Sequence, residues 1–189
     1  MSITTNTTVE IPGYIAGTWA IDPVHSEVSF SVRHMMVSKV RGLFRDFSGT
    51  LVLADDPLAS SVVAEIDVDS IDTRNEQRDA HIRSADFFDV EHFPTMAFRS
   101  TAVRPARHGF VVEGELSLHG VTRTVELDLE VNGFTPDPYG GTRVGFTATG
   151  QLNRRDFGID IDMPMDGGGV VVGDKVTITL EVQAVLQQS

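Results

Sequence analysis

The 189-residue sequence predicts an all-β fold, an extended eight-stranded antiparallel barrel with a short helix. Three observations carry that expectation. Apolar residues recur at every second position through most of the chain, the segments that do so are long, and the breaks between them are rich in Gly, Pro, Asn and Asp. Alternation puts successive side chains on opposite faces, so each segment has one dry face and one wet face. Strands joined mostly by short turns suit an up-and-down barrel or a two-sheet sandwich. Sandwich strands usually run about five or six residues, whereas several here can be drawn at about eight to twelve, which favours a tall tube.

The elements follow in order. A loose, flexible leader is expected to Ala16, and a single domain over 17–189. The first strand covers 18–36, where "HSEVSFSVRHM" sets Val28, Phe30 and Val32 against Glu27, Ser29, Ser31 and Arg33. The second covers 40–54. "SVVAEIDVDS" contributes Val62, Ala64, Ile66 and Val68; "TMAFRST" offers Met96 and Phe98; "GFVVEGELSL" offers Phe110, Val112, Leu116 and Leu118. "TVELDLEV", "RVGFTATGQL" and "KVTITLEVQAVL" continue the pattern through Leu127, Phe146 and Ile178. Turns fall at "ADDPLAS", "LHGVT" and "NGFTPDPYGG". Only "TRNEQRDAHIRSADFFDVEHFP" lacks alternation; its helix formers predict a helix over Glu76 to Ser84, followed by Phe87, Phe88 and Phe93 and stopped by Pro94.

Composition narrows the function. With 15 Lys+Arg against 27 Asp+Glu, the formal charge of −12 has the wrong sign for tracking a phosphate backbone, so no nucleic acid partner is expected. The absence of cysteine excludes disulfides, thiolate metal sites and a cysteine nucleophile. The opening "MSITTNTTVEIPGYIAG" has no basic start and no continuous apolar run, so neither a secretory signal nor a membrane span is expected, and the protein is expected in the cytoplasm.

Six histidines are spread along the chain without metal-binding spacing, and no metal or other cofactor is expected. His25 and His34 lie an odd number of residues apart, so on one strand they face opposite sides of the sheet. "DIDMPMD" suggests calcium only superficially, because Pro164 and Met165 stand where a calcium loop needs an oxygen ligand and a glycine. Strand alternation, with Ile159, Ile161, Met163 and Met165 inward, is the better reading. The run "GGGVVVG" (167–173) leads into no helix and has no Lys-Ser/Thr, so it reads as a turn or barrel rim. No G-x-S-x-G is present. The stretch "RHMMVSKVRGLFR" (33–45) is where the acidic chain turns basic, with apolar residues on both strand parities. It reads either as a strand bend paired to acidic faces or as a cavity mouth with cations near a ligand's polar head.

Four segments, "GTWAIDPVHSEVSFSVRHMMVSKVRGLFRDFSG", "SIDTRNEQRDAHIRSADFFDVEHFPTMAFRS", "GELSLHGVTRTVEL" and "NRRDFGI", occur in that order between Gly17 and Leu186. In them the chain resembles the YceI-like family of polyisoprenoid-binding proteins. The resemblance implies a lipocalin-like barrel holding a long isoprenoid-type lipid. Its motif positions fall on Trp19, Asp22, His25, Ser26, Phe30 and His34, then on Asp72, Thr73, Arg78, His81, Phe87, Phe88, Pro94 and Phe98, and finally on Arg154, Phe157 and Gly158.

The expectation is therefore a non-enzymatic barrel that binds, stores or carries a long-chain isoprenoid, isoprenoid quinone or similar lipid, with no catalytic residue, as a monomer or a homodimer. Inner-face alternation nominates Phe30, Val32, Met36, Phe44, Phe98, Leu116, Leu118, Phe146, Phe157 and Ile159 as the lining, with His34 at the rim. The rivals are an enzyme using a cavity histidine on a lipid-like or quinone-like substrate, and a filled-core barrel acting in stress response or protein interaction.

Overall fold

The computed structural model describes residues 9–162 and 172–188. Its strands are β1 (Gly17–Ile21), β2 (Glu27–His34), β3 (Ser38–Phe44), β4 (Phe47–Leu53), β5 (Ser61–Asp67), β6 (Ile71–Asp72), β7 (Thr95–Pro105), β8 (Phe110–Leu118), β9 (Val121–Pro136), β10 (Thr142–Asn153) and β11 (Val172–Leu186). The helix is α1 (Glu76–Arg83). Antiparallel pairing runs β1-β4-β5-β7-β8-β9-β10-β11, and β11 returns to β1. That closure leaves a ring of eight.

The three remaining strands extend ring members. β2 continues β1 along the same edge of β11, with Phe30 opposite Ile178 and Trp19 opposite Leu186. β3 continues β4 and pairs with β2, and β6 continues β5 and pairs with β3. Each of the first three expected strands is thus one path with a break in it. Pro23 has no N–H to give a ladder, and the Asp22 carboxylate instead accepts the Val24 N–H at 2.9 Å. Arg45 N–H and Asp46 N–H turn aside to the carbonyl and hydroxyl of Ser70. Asp67 caps a 3-10 turn over Val68–Ser70 by accepting from Asp69 N–H.

The first break is held from outside. Arg143, at the start of β10, donates to Asp22 at 2.7 Å and to Asp137 at 3.2 Å, while His25 Nδ1 sits 2.8 Å from the same Asp22 carboxylate. The Arg143 guanidinium foremost, and His25 after it, hold the Asp22 carboxyl far below the usual carboxylate range. A carboxyl with a depressed folded value contributes stability above its unfolded value of about 3.9, and that contribution fades as pH falls toward the folded value. Arg143→Gln is therefore expected to lower the urea midpoint at neutral pH. The gap to the parent should narrow as the pH drops below about 4, because there the unfolded chain takes up a proton at Asp22 that the paired carboxylate of the folded parent does not.

Two apolar clusters fill the tube unequally. One gathers Phe44, Val68, Ile71, Met96, Phe157 and Ile159 under α1. The other sits at the opposite end around fully buried Trp19, with Leu51, Leu53, Val144 and Phe146. Trp19 meets Phe134 edge-on at 5.6 Å. Phe134 reaches it because β9 carries an extra residue near Gly133, where the register with β10 shifts, and the shift turns Phe134 inward. The described part of the expected leader docks here too, with the Tyr14 hydroxyl donating to Ala54 O at 2.6 Å.

Helix α1 begins at Asn75, whose side chain accepts from Arg78 N–H, and Arg83 straps it down by donating to the Asp69 and Ile71 carbonyls. Its neighbour Phe88 meets Phe44 at 6.1 Å. The strand expected over Ile159–Met165 does not form in its described part. The 3-10 turn Arg154–Phe157 ends on Gly158 at φ 73°, after which 159–162 run without ladder partners; Ile159 is nonetheless buried. Met163, Met165 and the glycine-rich run through Val171 lie outside the described residues. No described helix is long and apolar enough to cross a membrane. Outward positions carry Glu65, Asp67, Glu115 and Asp128, so charge is outside and the apolar face inside, the reverse of a bilayer-spanning barrel.

Candidate ligand-binding cavity

The inner faces do not meet. They enclose a cavity of about 430 Å³, within the range of roughly 300–1,000 Å³ usual for small-molecule sites. It stretches from Ile11 and Tyr14 at the Trp19 end to Arg33, His34, Arg78 and His81 at the α1 end. Of the expected lining, Phe30, Val32, His34, Phe44, Phe98, Leu116, Leu118, Phe146, Phe157 and Ile159 all border it. Met36 does not. It occupies the turn between β2 and β3 at φ 62°, is 55% exposed, and borders no part of the cavity. The reason is the turn itself: alternation read through Met36 assumed a strand that ends at His34.

What keeps the tube hollow is a set of glycines on inner-face positions. Gly42, Gly49, Gly114 and Gly150 each lie beneath a large side chain from a neighbouring strand, respectively Phe30, Ile21, Phe98 and Leu127. A β-carbon on Gly42 would stand 2.5 Å from Phe30 Cζ, and one on Gly114 would stand 2.4 Å from Phe98 Cζ. The rings therefore lie along the wall, in space that only a missing side chain leaves open. These glycines are the residues that alternation missed. Their signal was present, because a glycine at an apolar-parity position inside a strand marks a close approach.

The charged side chains that border the cavity are all cationic or imidazole: Arg33, Arg78, Arg154, His34 and His81. Two of the arginines are committed. Arg154 is 6% exposed and donates to the carbonyls of Gly173 and Ile159, with Asp174 at 3.2 Å, so it staples the 3-10 turn to the start of β11. Arg78 donates through Nε to Thr73 Oγ1 and through Nη2 to Thr73 O; the same Thr73 hydroxyl donates to buried Asp79 at 2.5 Å. His81 pairs with Asp86 at 2.9 Å on the outside. His34 accepts from Val37 N–H and the Ser38 hydroxyl at its backbone carbonyl, but its imidazole has no hydrogen-bond partner among the described residues, so no acid there orients it as a general base. His25 does not border the cavity: it stands in the Asp22 corner, in the break before β2, so the two histidines are separated by that break and not by parity along one strand. Among the described residues no group of three His, Asp or Glu could hold a metal.

This architecture has known counterparts. The sequence model of the YceI-like domain matches residues 19–184. The chain belongs to the YceI-like family. Protein YceI of Salmonella newport (strain SL254) is 39% identical over 140 residues, covering 74% of this chain and 73% of its own length. Among solved structures, Burkholderia cenocepacia BcnA superposes with a TM-score of 0.74 at 24% identity, covering 86% of this chain and 98% of that one. A polyisoprenoid binding domain from Saccharophagus degradans, implicated in plant cell wall breakdown, superposes with a TM-score of 0.68 at 14% identity over 92% of this chain and all of that one. At those identities the superpositions establish the shared barrel. The YceI-like motif residues Asp22, His25 and Ser26 form the corner between β1 and β2, where Ser26 Oγ accepts Gln183 N–H at 2.9 Å, and Arg154 and Phe157 form the staple at the other end.

Proposed function

We propose that the barrel binds and carries a long-chain apolar lipid of the polyisoprenoid or isoprenoid quinone type, and catalyses nothing. The observation that carries this reading is the cavity itself, apolar along its length and ringed by cations and imidazoles at one end only. Removing a methylene from water is worth about 0.8 kcal/mol, so each five-carbon unit drawn in contributes roughly 4 kcal/mol gross. A few units then suffice for micromolar affinity, about −8 kcal/mol, after association costs of several kcal/mol. The head rests at the α1 end, where Arg33 and His34 offer donors to oxygen. In this reading the protein works in the cytoplasm. A chain-length series of prenyl alcohols, titrated into lipid-stripped protein, tests the reading.

A further inference from the structure

The turn joining β2 to β3 combines three features that are each unfavourable in water. Met35, Met36 and Val37 are 43%, 55% and 85% exposed in succession, whereas the other large exposed apolar side chains, such as Val24 and Tyr139, stand singly. Both methionines have positive φ, 52° and 62°, a conformation that Asn and Gly take readily in two-residue hairpins and that other side chains take at a cost. Immediately behind the tip, Arg33 and Lys39 are direct cross-strand partners, and Arg41 follows on the same face as Lys39. Like charges directly opposite on a sheet repel. Among the described residues Arg33, Lys39 and Arg41 have no carboxylate partner; Arg74, Arg78, Arg99, Arg107, Arg123 and Lys175 have none either, but those are spread over other elements, whereas these three share one hairpin.

One environment relieves both the exposure and the repulsion. We infer that the β2–β3 hairpin tip docks on an anionic lipid bilayer, with Met35, Met36 and Val37 in the headgroup region and Arg33, Lys39 and Arg41 against lipid phosphates. The inference rests on the cavity's being a lipid site, because the hairpin opens from its rim: Arg33, His34 and Val40 border the cavity. Docking there sets the mouth on the surface that supplies or receives the chain. The molecule as a whole carries a net charge of −12, so everything outside the hairpin is repelled by the same surface, which orients the protein hairpin first. Screening over about 8 Å at physiological salt lets the local patch act against the distant charge.

The chain has no cysteine, so one introduced thiol can be labelled without background. Val37→Cys carrying an environment-sensitive dye is compared with Tyr139→Cys, whose site lies in the β9–β10 turn at the other end of the barrel. Vesicles of phosphatidylcholine alone, and with phosphatidylglycerol added, are offered at physiological salt. The dye at 37 should shift to the blue with anionic vesicles only, and the dye at 139 should not move. Adding Lys39→Glu and Arg41→Glu to the Val37 probe should cost about fivefold in vesicle affinity per lost cation or more. Lipid binding in solution is read separately by prenyl alcohol titration of the same variants, and should be unchanged. No shift at 37 with anionic vesicles, equal shifts at both sites, or a shift indifferent to the charge reversals would overturn the docking inference. A protein that takes up prenyl alcohol yet fails the vesicle test loses the docking and keeps the proposed function; failure in the alcohol titration removes the function itself.

Discussion

Gly42→Ala is expected to cut lipid affinity by at least an order of magnitude while leaving the barrel folded. The new methyl would sit 2.5 Å from Phe30 Cζ, 2.7 Å from Phe30 Cε1 and 2.9 Å from Thr73 Cγ2, and all three belong to side chains. Phe30 can yield by rotating, and on an inner face the free direction is the cavity. A ring swung into the bore displaces about one five-carbon unit of lipid. If half of that unit's roughly 4 kcal/mol is lost, affinity falls about thirtyfold. Adding Phe30→Leu to Gly42→Ala removes the ring and should restore most of the loss, which a general folding defect would not permit. Gly114→Ala provides the contrast: its methyl would meet Phe98 and also the Arg99 carbonyl oxygen at 2.6 Å, and backbone cannot rotate away. There the cost should appear as about 1–3 kcal/mol of stability in urea.

Arg154→Met should be the most destabilising single change at the α1 end. The methionine fills much of the same space but donates nothing, so the Ile159 and Gly173 carbonyls lose their donors, and Asp174 keeps only Arg155 as a partner. A buried acceptor left unsatisfied costs about 1–3 kcal/mol, which puts the total near 3 kcal/mol or above. Burial first, and Arg155 next, pull the Arg154 pKa below the usual guanidinium range. Arg154→Lys keeps a cation but cannot reach two carbonyls in the same plane, so it should recover only part of the loss. Urea denaturation of the three proteins checks both expectations.

The barrel was legible because nearly every strand has one wet face, and period two survives in a single sequence. Strands β8, β10 and β11 follow their alternation closely, and the helix over Glu76–Arg83 ends one residue from where its helix formers give out. The breaks at Asp22–Ser26, Arg45–Asp46 and Val68–Ser70 were not legible as interruptions of pairing. The middle one depends on distant Ser70, which accepts from Arg45 and Asp46 N–H, and the first is held by Arg143 from β10, whereas the third is a short Asp67 cap inside an unbroken alternation. In the cavity, eight of the eleven expected lining residues border it because parity on a strand is a local property; Phe157 and Ile159 border it from the 3-10 turn and the unpaired run after it, and Met36 failed where the strand stopped. The basic stretch was visible as composition, but its division was not. Arg33 reaches the rim, whereas Lys39 and Arg41 alternate with the inward Val40 and Gly42 and lie outside. The emptiness of the bore was the least legible feature, since it depends on which inner positions carry glycine and on how the rings above them lie.

In the proposed function, affinity comes from burying an apolar chain along the bore. Lipid-stripped protein titrated with prenyl alcohols of increasing length tests it most directly. Each added five-carbon unit should tighten binding severalfold or more until the bore is full, after which further units should add nothing, and Gly42→Ala should move the plateau to a shorter chain. Affinity that does not depend on chain length, or no binding at any length, would contradict it.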